Sequence, residues 1–398
     1  MSAPLDLVAA EVGPPATGPS PGRAEPAASA PSVWSTTAAL WRALAVYIAS
    51  RVVFLAAVGL FEYHHTTAPV SESLSPADGL WYLNVAKNGY PHHLVTNNGS
   101  IAQSTLGFFP GYPLLMRWTS DVLPIGLRTA GLVWATASGA AVAVLLWILV
   151  RRLAGAETAD ASVVLLCFFP GSFVFSTVYG EGLLLVCALV CLLALLDRKW
   201  LLAGVAAGLA GAIRPNGIVL AACCAWAAFV AVRQRREWRA LVAPLLAPAG
   251  VIAFFAFLWA RAGTPLAYYR TQRHAWGERV DFGVGTWHRL VFVLHHGGRD
   301  LNILISTLGL IFLAATAVLL WRWRPPAVIT IYAVGIALLA VMSSDVGPRP
   351  RFVLTAFPFL VAFARPLRGI WLSLVVGMSA VLLAGMTSVL VLTTKITP

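Results

Sequence analysis

Lysine is almost missing from this chain: Lys87, Lys199 and Lys395 stand against 25 arginines. Charge of either sign is scarce, at 11% of 398 residues, and only sixteen residues are acidic. A soluble domain carries about 25% charged residues, so an ordinary globular protein is excluded. The 59% hydrophobic share falls in runs long enough to cross a bilayer about 30 Å thick. The expected fold is therefore all-α, a polytopic helical membrane protein. The net charge of +12 punctuates these runs and forms no single stripe, so no nucleic-acid partner is expected.

Other absences narrow the chemistry. The five cysteines, Cys167, Cys187, Cys191, Cys223 and Cys224, lie inside apolar runs without a metal-type C-x-x-C spacing. They read as small buried hydrophobes. The doublets His64-His65, His92-His93 and His295-His296 come with no H-E-x-x-H or carboxylate–histidine spacing, so neither a metal nor another cofactor is expected. Residues 1–33 are rich in Ala, Pro, Ser and Gly and contain no aromatic. They are expected to be a disordered cytoplasmic tail, and they lack the basic start and apolar core of a signal peptide. Residues 34–398 form the membrane domain.

About eleven spans are expected, near 38–60, 128–150, 158–178, 181–196, 200–213, 216–232, 241–260, 302–321, 326–342, 352–364 and 368–394. With the N-terminus cytoplasmic, the inner connections are "RRLAGAET", "DRKW", "RQRREWR", "WRWRPP" and "ARPLR". They are short and dense in arginine, as the positive-inside rule requires. All eight histidines then fall outside, on the loops 61–127 and 262–300.

Candidate chemistry gathers on the same side. "DGLWYLNVAKNGY" (78–90) reads as an amphipathic helix lying at the membrane surface. Trp81 and Tyr82 suit the lipid–water boundary, and Gly89 suits the helix end. Asp78 is either the N-terminal cap or a general base tuned by partial desolvation. "GFFPGYPLLMRW" (107–118), with Tyr112, and "CFFPGSFVFSTVYGEG" (167–182), with Tyr179 and Glu181, share FFPG. These are two aromatic–proline kinks, or two pieces of one site. In "AIRPNG" (212–217), Arg214 is costly at membrane depth unless paired, and Asn216 sits in the turn. "SSDVGPRPRF" (343–352) offers Arg349 and Arg351 as interfacial anchors or as bidentate phosphate ligands. In "YYRTQRHAWGERVDF", Gln272, His274 and Trp276 suit contacts to a sugar.

Taken in order, these segments resemble the PIG-V type of GPI mannosyltransferase and its bacterial relatives, within the GT-C class of membrane glycosyltransferases. The resemblance covers about residues 78–352. It departs at Ala77, where a Trp is usual, and in the 90–103 region, where Thr96, Asn97, Asn98 and Gln103 stand in place of an acid. It implies an inverting transfer of a sugar, most often mannose, from a polyprenyl-phosphate donor to a glycolipid or secreted-protein acceptor. The carry-over makes Asp78 the catalytic base and Arg351 a phosphate contact, with Arg214 a weaker candidate; Arg349 is a phosphate candidate by its own chemistry. A lipid-linked donor accounts for the lack of a nucleotide-binding motif. The expected location is a bacterial plasma membrane, or the ER membrane in a eukaryote, with the site on the extracytoplasmic face. A lipid-linked sugar flippase or small-molecule transporter is the competing reading; the single FFPG echo is too little for the paired halves of a transporter.

Overall fold

The computed structural model describes residues 33–65, 73–345 and 347–392. The expected 1–33 tail lies outside them except for Val33, as do the side chains of His64 and His65. The chain divides into residues 1–39 and 40–398. The described part of the first is the opening of one helix; the rest of this section concerns the second.

The described residues form seventeen α-helices, short 3-10 turns and one small hairpin. Six helical stretches are long and apolar enough to cross a membrane: Thr37–Leu60, Leu127–Ala154, Pro215–Arg235, Trp238–Ala262, Leu301–Trp323 and Gly369–Leu390. Glu181–Leu196, Trp200–Ile213 and Ala327–Val341 are apolar but shorter. Large apolar side chains such as Trp41, Leu245, Trp321 and Trp371 lie exposed on the outside. An exposed apolar surface of this extent suits lipid rather than water.

Two expected spans are broken. The 158–178 span is a helix over Ala156–Phe168 followed by a 3-10 turn over Pro170–Phe175. Phe169 precedes a proline, which disfavours the helical region for it. The 352–364 span is split into Pro350–Thr355 and Phe357–Ala364, because Pro358 brings no N–H to continue the ladder. The hairpin, β1 (Thr96–Asn97) and β2 (Ser100–Ile101), is a small departure from an all-helical chain. Asn98 and Gly99, both at positive φ, form its turn, the Asn-Gly pair that two-residue hairpins favour.

The short helices are the centre of the bundle. Helix α1 (Glu181–Leu196) buries Leu184, Leu185, Ala188, Leu189 and Leu192. It packs on α2 (Trp200–Ile213), whose Gly208 lets the backbone of Gly250 approach; a Cβ on Gly250 would lie 2.0 Å from the Gly208 carbonyl oxygen. Small residues permit such close helix contact in membranes. The two helices run antiparallel, so Glu181 and Arg214 end up at one level. At the other end the arginine-dense connections meet: Arg152 pairs with Asp197, Arg198 with Glu237 at 3.5 Å and Arg368 with Glu157 at 3.2 Å. These pairs are exposed and worth at most about 1 kcal/mol each.

Arg51 fastens the 3-10 turn over Pro170–Phe175 from within the bundle. Its guanidinium donates to the carbonyls of Ser172 at 2.7 Å and Cys167 at 2.9 Å and to the Ser176 hydroxyl at 3.1 Å. An arginine at membrane depth is tolerated when its donors are satisfied in this way.

Candidate active site

Asp78 opens the helix Asp78–Asn88, but it is not the cap. Ala77 holds the N-cap position with φ 44° and no side-chain cap bond. The Asp78 carboxylate turns inward, and Oδ2 accepts from Arg351 Nη1 at 2.5 Å. Gly89 ends the helix with φ 71°, its N–H donating to Val85 O at 2.9 Å. Tyr82, Val85 and Ala86 are buried and Lys87 and Asn88 exposed, the amphipathic pattern expected of this stretch.

Arg351 is buried, 4% exposed, beneath the rings of Phe352 and Tyr179 at 4.8 and 5.4 Å. The backbone ahead of it rests on the second FFPG turn, where a Cβ on Gly171 would stand 2.3 Å from the Pro350 carbonyl oxygen. Only glycine fits there, which explains one FFPG by contact. Gly171→Ala is expected to cost about 1–3 kcal/mol through overpacking and to lower activity by moving Arg351. Thermal unfolding of the purified protein in detergent checks this; an unchanged midpoint refutes the contact's importance.

Glu181 and Arg214 complete the cluster. Glu181 Oε1 lies 2.7 Å from Arg214 Nη1 and 3.6 Å from Arg351 Nη1. Arg214 Nη1 also donates to the Tyr82 hydroxyl at 3.1 Å. Burial alone would raise the Asp78 carboxyl, but Arg351, Arg214 and Arg349 outweigh it and hold the group below its ordinary value. Burial, with Arg351 nearby, lowers Arg349 to about 10. Burial raises the Tyr82 phenol, so this hydroxyl stays neutral.

The cluster borders a cavity of about 560 Å³. Of the expected residues, Asp78, Trp81, Tyr82, Arg214, Asn216, Gln272, Trp276, Arg349 and Arg351 line it. One wall is aromatic: Trp81 stacks on Phe108 with ring centroids 5.7 Å apart, and Trp276 meets both edge-on. Gln272 donates its amide to the Gly107 carbonyl at 2.8 Å, which locks this wall. Four expected residues do not line the cavity. Tyr112 is in the core, with its hydroxyl on Gly131 O; Tyr179 and Glu181 are buried behind the arginines; His274 is exposed. No group of three or more His, Cys, Asp or Glu with metal-holding geometry occurs among the described residues.

Sequence reasoning overlooked Tyr268, Glu278 and Asp345, which also line the cavity, as does Gln103, noted only as a departure from the family pattern. Glu278 Oε2 accepts from the Ser343 hydroxyl at 2.9 Å and from the Asp345 N–H at 3.3 Å. It thereby ties the loop that carries the arginines to the 262–300 segment. The signal was present: in a chain with sixteen acids, each one outside the arginine-dense connections is informative.

The described residues form a GT-C-like, nearly all-helical fold with six stretches of membrane-spanning length. The oligosaccharyltransferase of Archaeoglobus fulgidus, in its apo form, matches with 12% identity and a TM-score of 0.50, covering 87% of this chain and 56% of that one. ArnT of Cupriavidus metallidurans matches in its apo state at 16% identity, TM-score 0.49, covering 82% and 60%. The same protein bound to undecaprenyl phosphate matches at 17% identity, TM-score 0.48, with the same coverage. This chain thus spans about 60% of the ArnT length. No curated protein matches by sequence. The family model of glycosyltransferase family 87 matches residues 110–344, more than half of the chain. The protein belongs to glycosyltransferase family 87. The match includes Arg214 and stops short of Asp78, Arg349 and Arg351.

Proposed function

We propose that this membrane glycosyltransferase moves a sugar, mannose, with inversion from a polyprenyl-phosphate donor to a glycolipid or secreted-protein acceptor on the extracytoplasmic side. The observation that carries the reading is the single cavity in which Asp78, three arginines and an aromatic wall face one another. Asp78 accepts the proton of the acceptor hydroxyl as its oxygen attacks the anomeric carbon. The bond from that carbon to the phosphate oxygen breaks, and the electron pair leaves on the phosphate. Arg351, Arg349 and Arg214 stabilise the departing charge, with the planar fork of arginine suited to phosphate oxygens. Trp81 and Trp276 offer faces on which a sugar ring rests. Family membership supports sugar transfer; the ordered landmarks shared with PIG-V enzymes support mannose and the lipid-linked donor.

The test is turnover by the purified protein in detergent with a panel of polyprenyl-phosphate sugars. Consumption of the mannosyl donor is expected, with polyprenyl phosphate as a product. A flippase or transporter has no compartment to fill in detergent and gives no turnover, which is the outcome that overturns the reading. Preference for a different sugar overturns mannose alone.

Sidedness has its own check. A cysteine at exposed Asn97 should react with an impermeant thiol reagent in intact cells, and one at exposed Gln234 should not. Labelling at Gln234 alone inverts the topology and removes the extracytoplasmic site.

A further inference from the structure

We propose that Glu181 is a positioning residue: one buried carboxylate that carries both Arg214 and Arg351 and leaves Asp78 free to accept a proton. The proposal rests on the roles given above to Asp78 and the arginines. It assigns Glu181 neither to the sugar nor to proton transfer.

The geometry is specific. Glu181 is fully buried and absent from the cavity lining, so no substrate atom reaches it in this arrangement. Its Oε1 alone faces two guanidiniums, at 2.7 and 3.6 Å. Neither carboxylate oxygen has a well-directed hydrogen bond from the described residues. The group is therefore held by charge, and through charge it holds the arginines. It also opens a sixteen-residue helix, where the backbone dipole favours a negative charge. A buried carboxylate without such compensation would be costly.

Asp78 sits differently. Its side chain is 22% exposed and lines the cavity, yet its Oδ2 is occupied by Arg351. Its other oxygen can accept a proton, and the neutral carboxyl then no longer balances Arg351. Arg351 then keeps a counter-ion because Glu181 faces the same Nη1 at 3.6 Å. In this cluster Asp78 and Glu181 stand against Arg214, Arg349 and Arg351, while Glu278 and Asp345 line the same cavity. Without Glu181 the arginines carry one more uncompensated positive charge, both before and after transfer.

The experiment compares Glu181→Gln and Glu181→Asp with wild type, using polyprenyl-phosphate mannose and a simple mannoside acceptor. Glu181→Gln should lower kcat about 10- to 100-fold through misplaced arginines. Inhibition by added polyprenyl phosphate should tighten by about tenfold or more, because the surplus charge retains the product. The acid limb of kcat/KM should move to lower pH, since Asp78, which faces Arg351, Arg214 and Arg349, loses a like-charged neighbour. Glu181→Asp keeps the charge on a shorter arm; it should restore the pH limb and the product inhibition while kcat stays reduced. A structural carboxylate would change the folded yield and leave the limb and the inhibition where they were, and that result overturns the proposal. If Glu181→Gln does not fold, Glu181→Asp decides: a wild-type kcat is the overturning outcome. Arg351→Ala separates the levels. An unchanged donor KM there defeats the phosphate reading itself, whereas a raised KM beside an unmoved limb in Glu181→Gln defeats only the role of Glu181.

Discussion

Asp78→Asn should lower the transfer rate by about 10²–10⁴-fold, the usual contribution of a positioned general base, with donor KM held or reduced. The sign for KM follows from the contact between Asp78 and Arg351. Asn removes the charge that competes with phosphate for this guanidinium, so the donor should bind at least as well. Stability should fall too, because Arg351 is 4% exposed and loses its nearest counter-ion. Breaking a buried pair typically costs about 3–5 kcal/mol; Glu181 at 3.6 Å and the open side of the Asp78 carboxylate place the expected loss below that range. Turnover per folded molecule is the deciding quantity. A rate within a few-fold of wild type makes Asp78 a structural ion-pair partner only. Asp78→Glu should recover little, since displacement of the oxygen by about 1 Å costs up to about 100-fold.

Arg351→Ala should raise donor KM and lower kcat together, with kcat/KM falling about 10²–10³-fold, as when one preorganised charge-stabilising donor is removed. Arg351→Lys should fall between, keeping the charge and losing the fork. A pH effect accompanies the Ala variant. Arg351 is the largest influence holding the Asp78 carboxyl below its ordinary value against the effect of burial. Without it that carboxyl should rise, so the acid limb should move to higher pH, opposite to the shift expected from Glu181→Gln. The same depression bears on stability in wild type. The stabilisation is fully present above the ordinary carboxylate value of 3.8 and is lost as pH falls through the lower folded value. Equal kinetics in Arg351→Ala and wild type would return this residue to an interfacial anchor.

Much of this was legible from sequence because membrane folding leaves few choices. Apolar runs and arginine-dense connections locate the helices, and polar residues that break those runs mark the site. Asp78, Arg214, Arg349 and Arg351 were named on that ground and share one cavity. What failed was pairing. A lone sequence shows an Asp opening a helix and leaves cap and base both open; only the fold brings Arg351, 273 positions away, onto its carboxylate. For the same reason Glu181 was counted as a piece of the substrate site, whereas it is buried against the arginines and does not line the cavity. Proline also interrupts two of the expected spans, at Phe169 and Ala356. Glu278 was passed over because its partners, Ser343 and Asp345, lie more than sixty positions on.

The brevity of the Glu181–Leu196 helix has a consequence for the choice of acceptor. Sixteen residues make a rod about 24 Å long, several Å short of the roughly 30 Å hydrocarbon slab. If its far end, where Arg152 meets Asp197, rests at one membrane surface, Glu181 and the cavity floor lie below the opposite surface. Under the proposed function, a donor phosphate held by Arg214 and Arg351 then sits below that surface, and the acceptor must descend to it. A hydroxyl on a slender chain or on a headgroup anchored in the same leaflet makes that descent; one on the flat face of a folded protein does not.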